Sequence, residues 1–114
     1  MRSGPLLVFL TVVPAVVTPA QPRAVEETIA VVVSDAGFRP AVVTLRKGEP
    51  IRLALSSGDR EHCFALEAFR IEKRVVAGKT TTIDLTPDRV GTFPFYCCLE
   101  PDDERQRGRL VVTE

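Results

Sequence analysis

The stretch FRPAVVTLRKGEPIRLALSSGDREHCFAL, residues 38–66, decides the fold because it holds three short apolar runs separated by turn residues. Residues 41–45 form the first run, and in residues 51–55 apolar side chains alternate with others, as in a half-buried strand. The KGEP between them has the glycine and proline of a turn, and the polar SSGDRE is a loop. A third run, 63–66, follows. The pattern predicts successive β-strands.

The same rhythm continues on both sides of this stretch. Turn signals recur about every 8–12 residues, which is typical of an antiparallel β-sandwich. No part of the chain after residue 20 has sustained helical periodicity, and there is no internal repeat or linker. The sequence therefore predicts one all-β domain, a sandwich of seven to eight strands, with strands at 28–33, 41–45, 51–55, 63–66, 72–76, 80–86, 92–98 and 109–113.

The first residues have the pattern of an export signal. Arg2 precedes the apolar run LLVFLTVVPAVV, and Thr18 and Ala20 are spaced for cleavage after Ala20. The run is shorter than the roughly 20 residues that cross a bilayer. We predict a signal peptide at 1–20, a mature domain at 25–114 without a membrane span, and a periplasmic or secreted location. The alternative is an uncleaved N-terminal anchor.

Charge and side-chain chemistry exclude several classes of function. The 15 basic and 15 acidic residues cancel, and no basic stripe with interleaved aromatics favours nucleic acid. Ser56 and Ser57 have no base nearby except His62, and no third group to orient that base. We expect a monomer that is not an enzyme.

One histidine and three cysteines are the residues that suggest a metal. His62 follows the polar loop and opens a strand, and Cys97 ends a late strand. In an antiparallel sandwich these two strand ends can meet at one pole. A thiolate selects Cu(I), and an imidazole suits either oxidation state of copper. The pair therefore predicts a copper site.

Several motifs follow one another along the chain. They are FRP at 38–40, KGEP at 47–50, a histidine after a GD loop, AGK at 77–79, GTFPFYC at 91–97 and GRLVV at 108–112. In this order they resemble the motifs of the cupredoxins, and especially those of the small cupredoxin domains related to cytochrome oxidase subunit II and nitrous oxide reductase. The resemblance covers residues 28–113 and implies a Greek-key β-sandwich. It also implies copper binding, with one-electron transfer or periplasmic copper handling, and a redox or copper-donor protein as partner.

The resemblance implies a set of ligands that departs from the family pattern. His62 matches the first histidine and Cys97 the strand-end cysteine. Gln106 stands at the methionine position and can serve as a weak axial ligand. The second histidine position falls on Asp102 or the aspartate after it, so Asp102 is the fourth predicted ligand. The alternative for this acidic segment is a solvated loop tip, since carboxylates suit harder cations.

The remaining cysteines leave alternatives open. Cys98 is adjacent to Cys97 rather than four residues on, which argues against a binuclear copper centre. Neighbours on a strand point to opposite faces, so Cys98 turns away if Cys97 faces the pole. In the cupredoxin arrangement, Cys63 could pair with either. A copper site at His62 and Cys97, a disulfide without metal, and free buried thiols remain as hypotheses. The rival function is a metal-free structural or partner-binding module.

Overall fold

The computed structural model describes residues 3–15, 25 and 27–114. Residues 3–15 are exposed and have no regular secondary structure. Within the described ranges, no helix is long and apolar enough to cross a membrane. The predicted cleavage after Ala20 lies outside the described residues.

The described chain from residue 27 onward forms nine strands, one more than the upper prediction. All eight predicted strands are confirmed, with ends that shift by one or two residues. The additional strand, β2, has only three residues and pairs with the end of β1. The strands are β1 Glu27–Ser34, β2 Gly37–Arg39, β3 Val42–Arg46, β4 Ile51–Ser56, β5 His62–Leu66, β6 Ile71–Val75, β7 Thr81–Leu85, β8 Gly91–Tyr96 and β9 Arg107–Thr113.

Two sheets make up the predicted sandwich. One has four strands in the order β2-β1-β4-β7, and the other has five in the order β3-β9-β8-β5-β6. The turn spacing is typical of an antiparallel sandwich, but two pairs are parallel, β1 with β4 and β3 with β9. Alternation along a strand reports which face is buried, but it carries no information about the direction of the neighbouring strand.

The core lies between the sheets and explains the alternation seen in the sequence. Ile51, Leu53 and Leu55 of β4 are buried, whereas the residues between them are half-buried. From the facing side, Phe64 and Phe95 bring their ring centroids within 5.0 Å of each other. Burying such apolar surface supplies the main favourable free energy of the fold.

Strands β5 and β8 bring the candidate ligands His62 and Cys97 to the same end of the sandwich. They are antiparallel neighbours, with Ala65 opposite Tyr96. The start of β5 at His62 therefore lies beside the end of β8, where the chain continues into Cys97. We call this the site end.

A glycine packs the turn between β1 and β2 against the chain just before β9. Gly37 has a φ of +117°, which side chains rarely adopt, and a Cβ there would collide with the Arg105 carbonyl. The close approach brings the end of β1 to the 3-10 turn Glu104–Gln106 at the site end.

Candidate metal site

Three of the four predicted ligands are fully buried at the site end. His62, Cys97 and Gln106 each have 0% of their surface exposed. The Cys97 backbone N–H donates to the Gln106 carbonyl at 3.0 Å, and the Cys63 N–H donates to Cys97 Sγ at 3.3 Å. The free thiol thus lies against both the start of β5 and the glutamine turn.

Asp59 holds the ring of His62. Histidine Nε2 is 2.8 Å from Asp59 Oδ1, and the Ser57 hydroxyl and the Asp35 backbone N–H also contact this carboxylate. The Ser57 hydroxyl first, with the Asp35 N–H and the His62 ring, keeps the pKa of Asp59 well below its usual range. A carboxylate oxygen accepts hydrogen bonds, so Nε2–H is the donor in this contact. In the neutral tautomer that has its proton on Nε2, the lone pair is on Nδ1.

Sequence reasoning missed this aspartate. The GD loop served only as a marker for the histidine, although an acidic residue three positions before a candidate ligand was visible. A carboxylate that accepts a hydrogen bond from a ligating imidazole fixes its tautomer and raises its basicity. Asp59 is therefore a positioning residue for His62.

Gln106 is oriented by a backbone carbonyl. Its Nε2 donates to the Ser34 oxygen at 2.5 Å, which directs the amide oxygen away from that carbonyl. Within the described residues, His62 Nδ1 and Gln106 Oε1 are the two buried side-chain nitrogen or oxygen atoms that lack a hydrogen-bond partner. Buried polar atoms are almost always satisfied, so each unpaired atom requires an explanation.

The acidic loop contributes less to this buried group. Asp102, the fourth predicted ligand, is exposed in the turn before the 3-10 turn, so the structure does not bring it to the other three. Asp103 accepts the Arg105 backbone N–H at 3.0 Å and caps the 3-10 turn. The Arg105 guanidinium also lowers the pKa of Asp103. The ligand role of Asp102 stays a prediction.

The cysteines adopt a combination that the sequence left open. Cys63 and Cys98 form a disulfide with a Cα–Cα distance of 5.2 Å, and Cys97 is a free, buried thiol. Continuing the register of Ala65 and Tyr96 by two residues sets Cys63 opposite Cys98. Cys97 points to the other face. The disulfide and the copper site, treated as competing hypotheses, are therefore compatible.

A second group of potential ligands surrounds the same histidine. Ligand atoms of Asp35, Asp59 and His62 lie within 4.8 Å of one another. However, Arg60 Nε donates to Asp35 at 2.6 Å, and its guanidinium also lies 3.5 Å from Glu100. Arg60 therefore offsets part of the negative charge of Asp35, Asp59 and Glu100. The ion pair between Arg60 and Glu100 connects the GD loop with the loop after β8.

Comparison with known proteins identifies the family of this domain. A family model described as "Cupredoxin-like domain" matches residues 6–112. The chain is 38% identical over 53 residues to "Probable cytochrome c oxidase subunit 2" of Streptomyces avermitilis, covering 46% of this chain and 17% of that protein. The chain thus spans about a sixth of the length of this curated relative.

Solved structures share the fold at low sequence identity. The periplasmic domain of cytochrome oxidase subunit II (CoxB) of Bradyrhizobium japonicum matches with a TM-score of 0.69 and 17% identity, covering 81% of this chain and 87% of that one. The metal binding domain of the Cu(I) exporting P-type ATPase CopA of Streptococcus pneumoniae, solved with Cu(I), has a TM-score of 0.65 and 22% identity, with coverage of 76% and 85%.

Proposed function

The chain belongs to the cupredoxin-like family, and from that premise we propose that it binds one Cu(I) ion at His62, Cys97 and Gln106. We further propose that it works outside the cytoplasm, in copper handling rather than in electron transfer.

The observation that carries the proposal is that two buried polar atoms without a hydrogen-bond partner and a free buried thiol occur together at the site end. His62 Nδ1 and Gln106 Oε1 have no hydrogen-bond partner, and Cys97 is free and buried. In each side chain the other polar atom is hydrogen-bonded. His62 Nε2 bonds to Asp59, and the Gln106 NH₂ donates to the Ser34 carbonyl. A bound metal ion would satisfy both orphaned acceptors.

The donor set favours Cu(I) over Cu(II). A blue-copper site takes two histidines and one cysteine in a trigonal plane with a weak axial ligand. This chain has only one histidine, so the thiolate and a single imidazole would hold the metal, with the glutamine oxygen as a weak ligand. A soft thiolate in a buried site with few hard donors selects the reduced ion.

One solved structure with this fold supports a role in copper handling. The CopA domain of Streptococcus pneumoniae, solved with Cu(I), is the metal binding domain of a Cu(I) exporter. A site that stabilises one oxidation state is suited to holding and passing on copper, whereas electron transfer requires similar geometry in both states. The partner is then a copper-donor or copper-acceptor protein.

Competition against a chromophoric Cu(I) chelator under nitrogen tests the proposal. The oxidised wild type, with its disulfide intact, should retain about one equivalent of Cu(I). His62→Ala and Cys97→Ser should lose retention, and Gln106→Ala should weaken it less because an axial ligand binds weakly. Asp88→Asn, exposed in the loop at the opposite end of β8, is the matched control.

Two results would contradict the proposal. Equal affinities in all these variants would leave a metal-free structural or partner-binding module. An intense blue absorption band after Cu(II) addition would mean that the site has a second strong donor and is built for electron transfer.

A further inference from the structure

A second cluster of ligand atoms lies on the other face of the same sheet. The sulfurs of Cys63 and Cys98 and a carboxylate oxygen of Glu72 lie within 4.8 Å of one another. None of these residues belongs to the proposed copper site.

Strand register explains why the three residues meet. Cys63 lies opposite Cys98 on one side and opposite Arg74 of β6 on the other. Glu72, two residues before Arg74, shares its face and pairs with Ala65. Residues directly opposite each other in a sheet point to the same side. The two sulfurs and the carboxylate therefore share the outer face of the sheet, away from His62 and Cys97.

The cluster has access to solvent on one side only. Cys63 is fully buried, Cys98 is half-buried and Glu72 is exposed. A reagent or an ion can therefore approach through Cys98 and Glu72. Thiol–disulfide exchange starts with attack on an accessible sulfur. Cys98 is the more exposed of the two cysteines.

We propose that Cys63, Cys98 and Glu72 form a second Cu(I) site, which the disulfide closes and a dithiol reductant opens. In the opening step, the dithiol transfers two electrons and two protons to the Cys63–Cys98 bond, and itself becomes a disulfide. Two thiols result. When Cu(I) binds, it displaces the two thiol protons and takes both thiolates as ligands, since coordinating thiols are deprotonated.

The charges around the cluster suit a soft monovalent cation. Two thiolates and the Glu72 carboxylate carry three negative charges. Arg74 lies on the same face, but its guanidinium is 3.9 Å from Glu61. Thiolates select Cu(I) among the available metals, and the carboxylate is the harder, weaker donor for it. The site would therefore hold copper only while the surroundings are reducing.

The Cys97→Ser variant separates this site from the first one. It removes the only thiol of the His62 site and leaves Cys63 and Cys98 unchanged, so its result does not depend on the proposed function. The variant is reduced with dithiothreitol, desalted under nitrogen and titrated with Cu(I) against a chromophoric chelator. We expect about one equivalent bound by the reduced variant and less than a tenth of that by the oxidised variant.

Two further variants test the assignment of residues. In the reduced Cys97→Ser background, Glu72→Gln should lower the Cu(I) affinity about tenfold if the carboxylate takes part. Glu27→Gln, which removes one exposed carboxylate from the other sheet, should not change it. The double variant Cys63→Ala, Cys98→Ala in an otherwise wild-type chain should bind one equivalent fewer than the reduced wild type.

Several outcomes would overturn the proposal. Equal Cu(I) binding by the reduced and oxidised Cys97→Ser protein would rule out the disulfide as the gate. Zn(II) retained in preference to Cu(I) would assign the site to a different metal. Far-UV circular dichroism of each titrated sample checks that the fold persists, and unfolding of the reduced wild type would also contradict the proposal, because the site requires the sheet.

Discussion

Reduction of the Cys63–Cys98 disulfide should destabilise the domain by a calculable amount. The bond joins residues 35 apart in the chain. Cross-linking a loop of that length removes conformational entropy from the unfolded chain, which at 25 °C corresponds to about 4 kcal/mol of stability. A domain of about 90 residues has a total free energy of unfolding of roughly 4–13 kcal/mol. The disulfide thus supplies a substantial share, and the reduced domain keeps the remainder.

The comparison of oxidised with reduced wild type isolates the cross-link, because both forms contain the same side chains. Urea unfolding is followed by far-UV circular dichroism at 25 °C, with the reduced sample kept under nitrogen. The oxidised form should be more stable by about 4 kcal/mol. Thiol counting on the denatured, unreduced protein should give one free thiol, that of Cys97, which is the free cysteine of the structure.

A matched control tests whether the reductant acts through this bond. The double variant Cys63→Ala, Cys98→Ala should have the same stability with and without reductant. A difference below about 1 kcal/mol between oxidised and reduced wild type would refute the loop-entropy reasoning. A count of three free thiols in the unreduced protein would refute the disulfide itself.

Three further predictions address the site, the acid stability and export. Asp59→Asn should weaken Cu(I) binding about 10–100-fold in the chelator competition, because the Nε2–H of the site histidine loses its charged acceptor. Asp88→Asn is the control, and equal affinities would exclude a positioning role. The Arg52 guanidinium lowers the pKa of Asp84 in the folded protein. The ionised carboxylate therefore stabilises the fold fully above its ordinary pKa of about 3.9. This stabilisation is lost as the pH falls through the lower pKa of the folded state. In urea unfolding, the difference in the free energy of unfolding between wild type and Asp84→Asn should be constant above about pH 5 and shrink below about pH 4. A difference that grows as the pH falls would contradict this reasoning. N-terminal sequencing of the protein from the producing cell should begin near Gln21, and an intact first methionine would contradict cleavage.

Much of the fold was predictable because local patterns decide it. Alternating apolar residues in runs such as 51–55 and turn residues such as KGEP have the same effect in any sandwich, so all eight predicted strands were confirmed. The three-residue β2 was missed because so short a segment has no periodicity. The parallel pairing of β1 with β4 was missed because it depends on the path of the chain between the sheets.

The sequence by itself determined the kinds of ligand available: one histidine, a cysteine at a strand end and a glutamine before the last strand. Only the tertiary structure decided which atoms are free. Cys63 pairs with Cys98 and leaves Cys97 alone because the register of β5 against β8 sets two sulfurs across from each other and the third on the opposite face. Asp59 accepts a hydrogen bond from Nε2 of His62, and the Ser34 carbonyl accepts one from the amide of Gln106. Both contacts depend on how the loops fold over the site end. Residue identity limits which donors exist, but burial and hydrogen bonding to distant parts of the chain determine which of them are left to bind a metal.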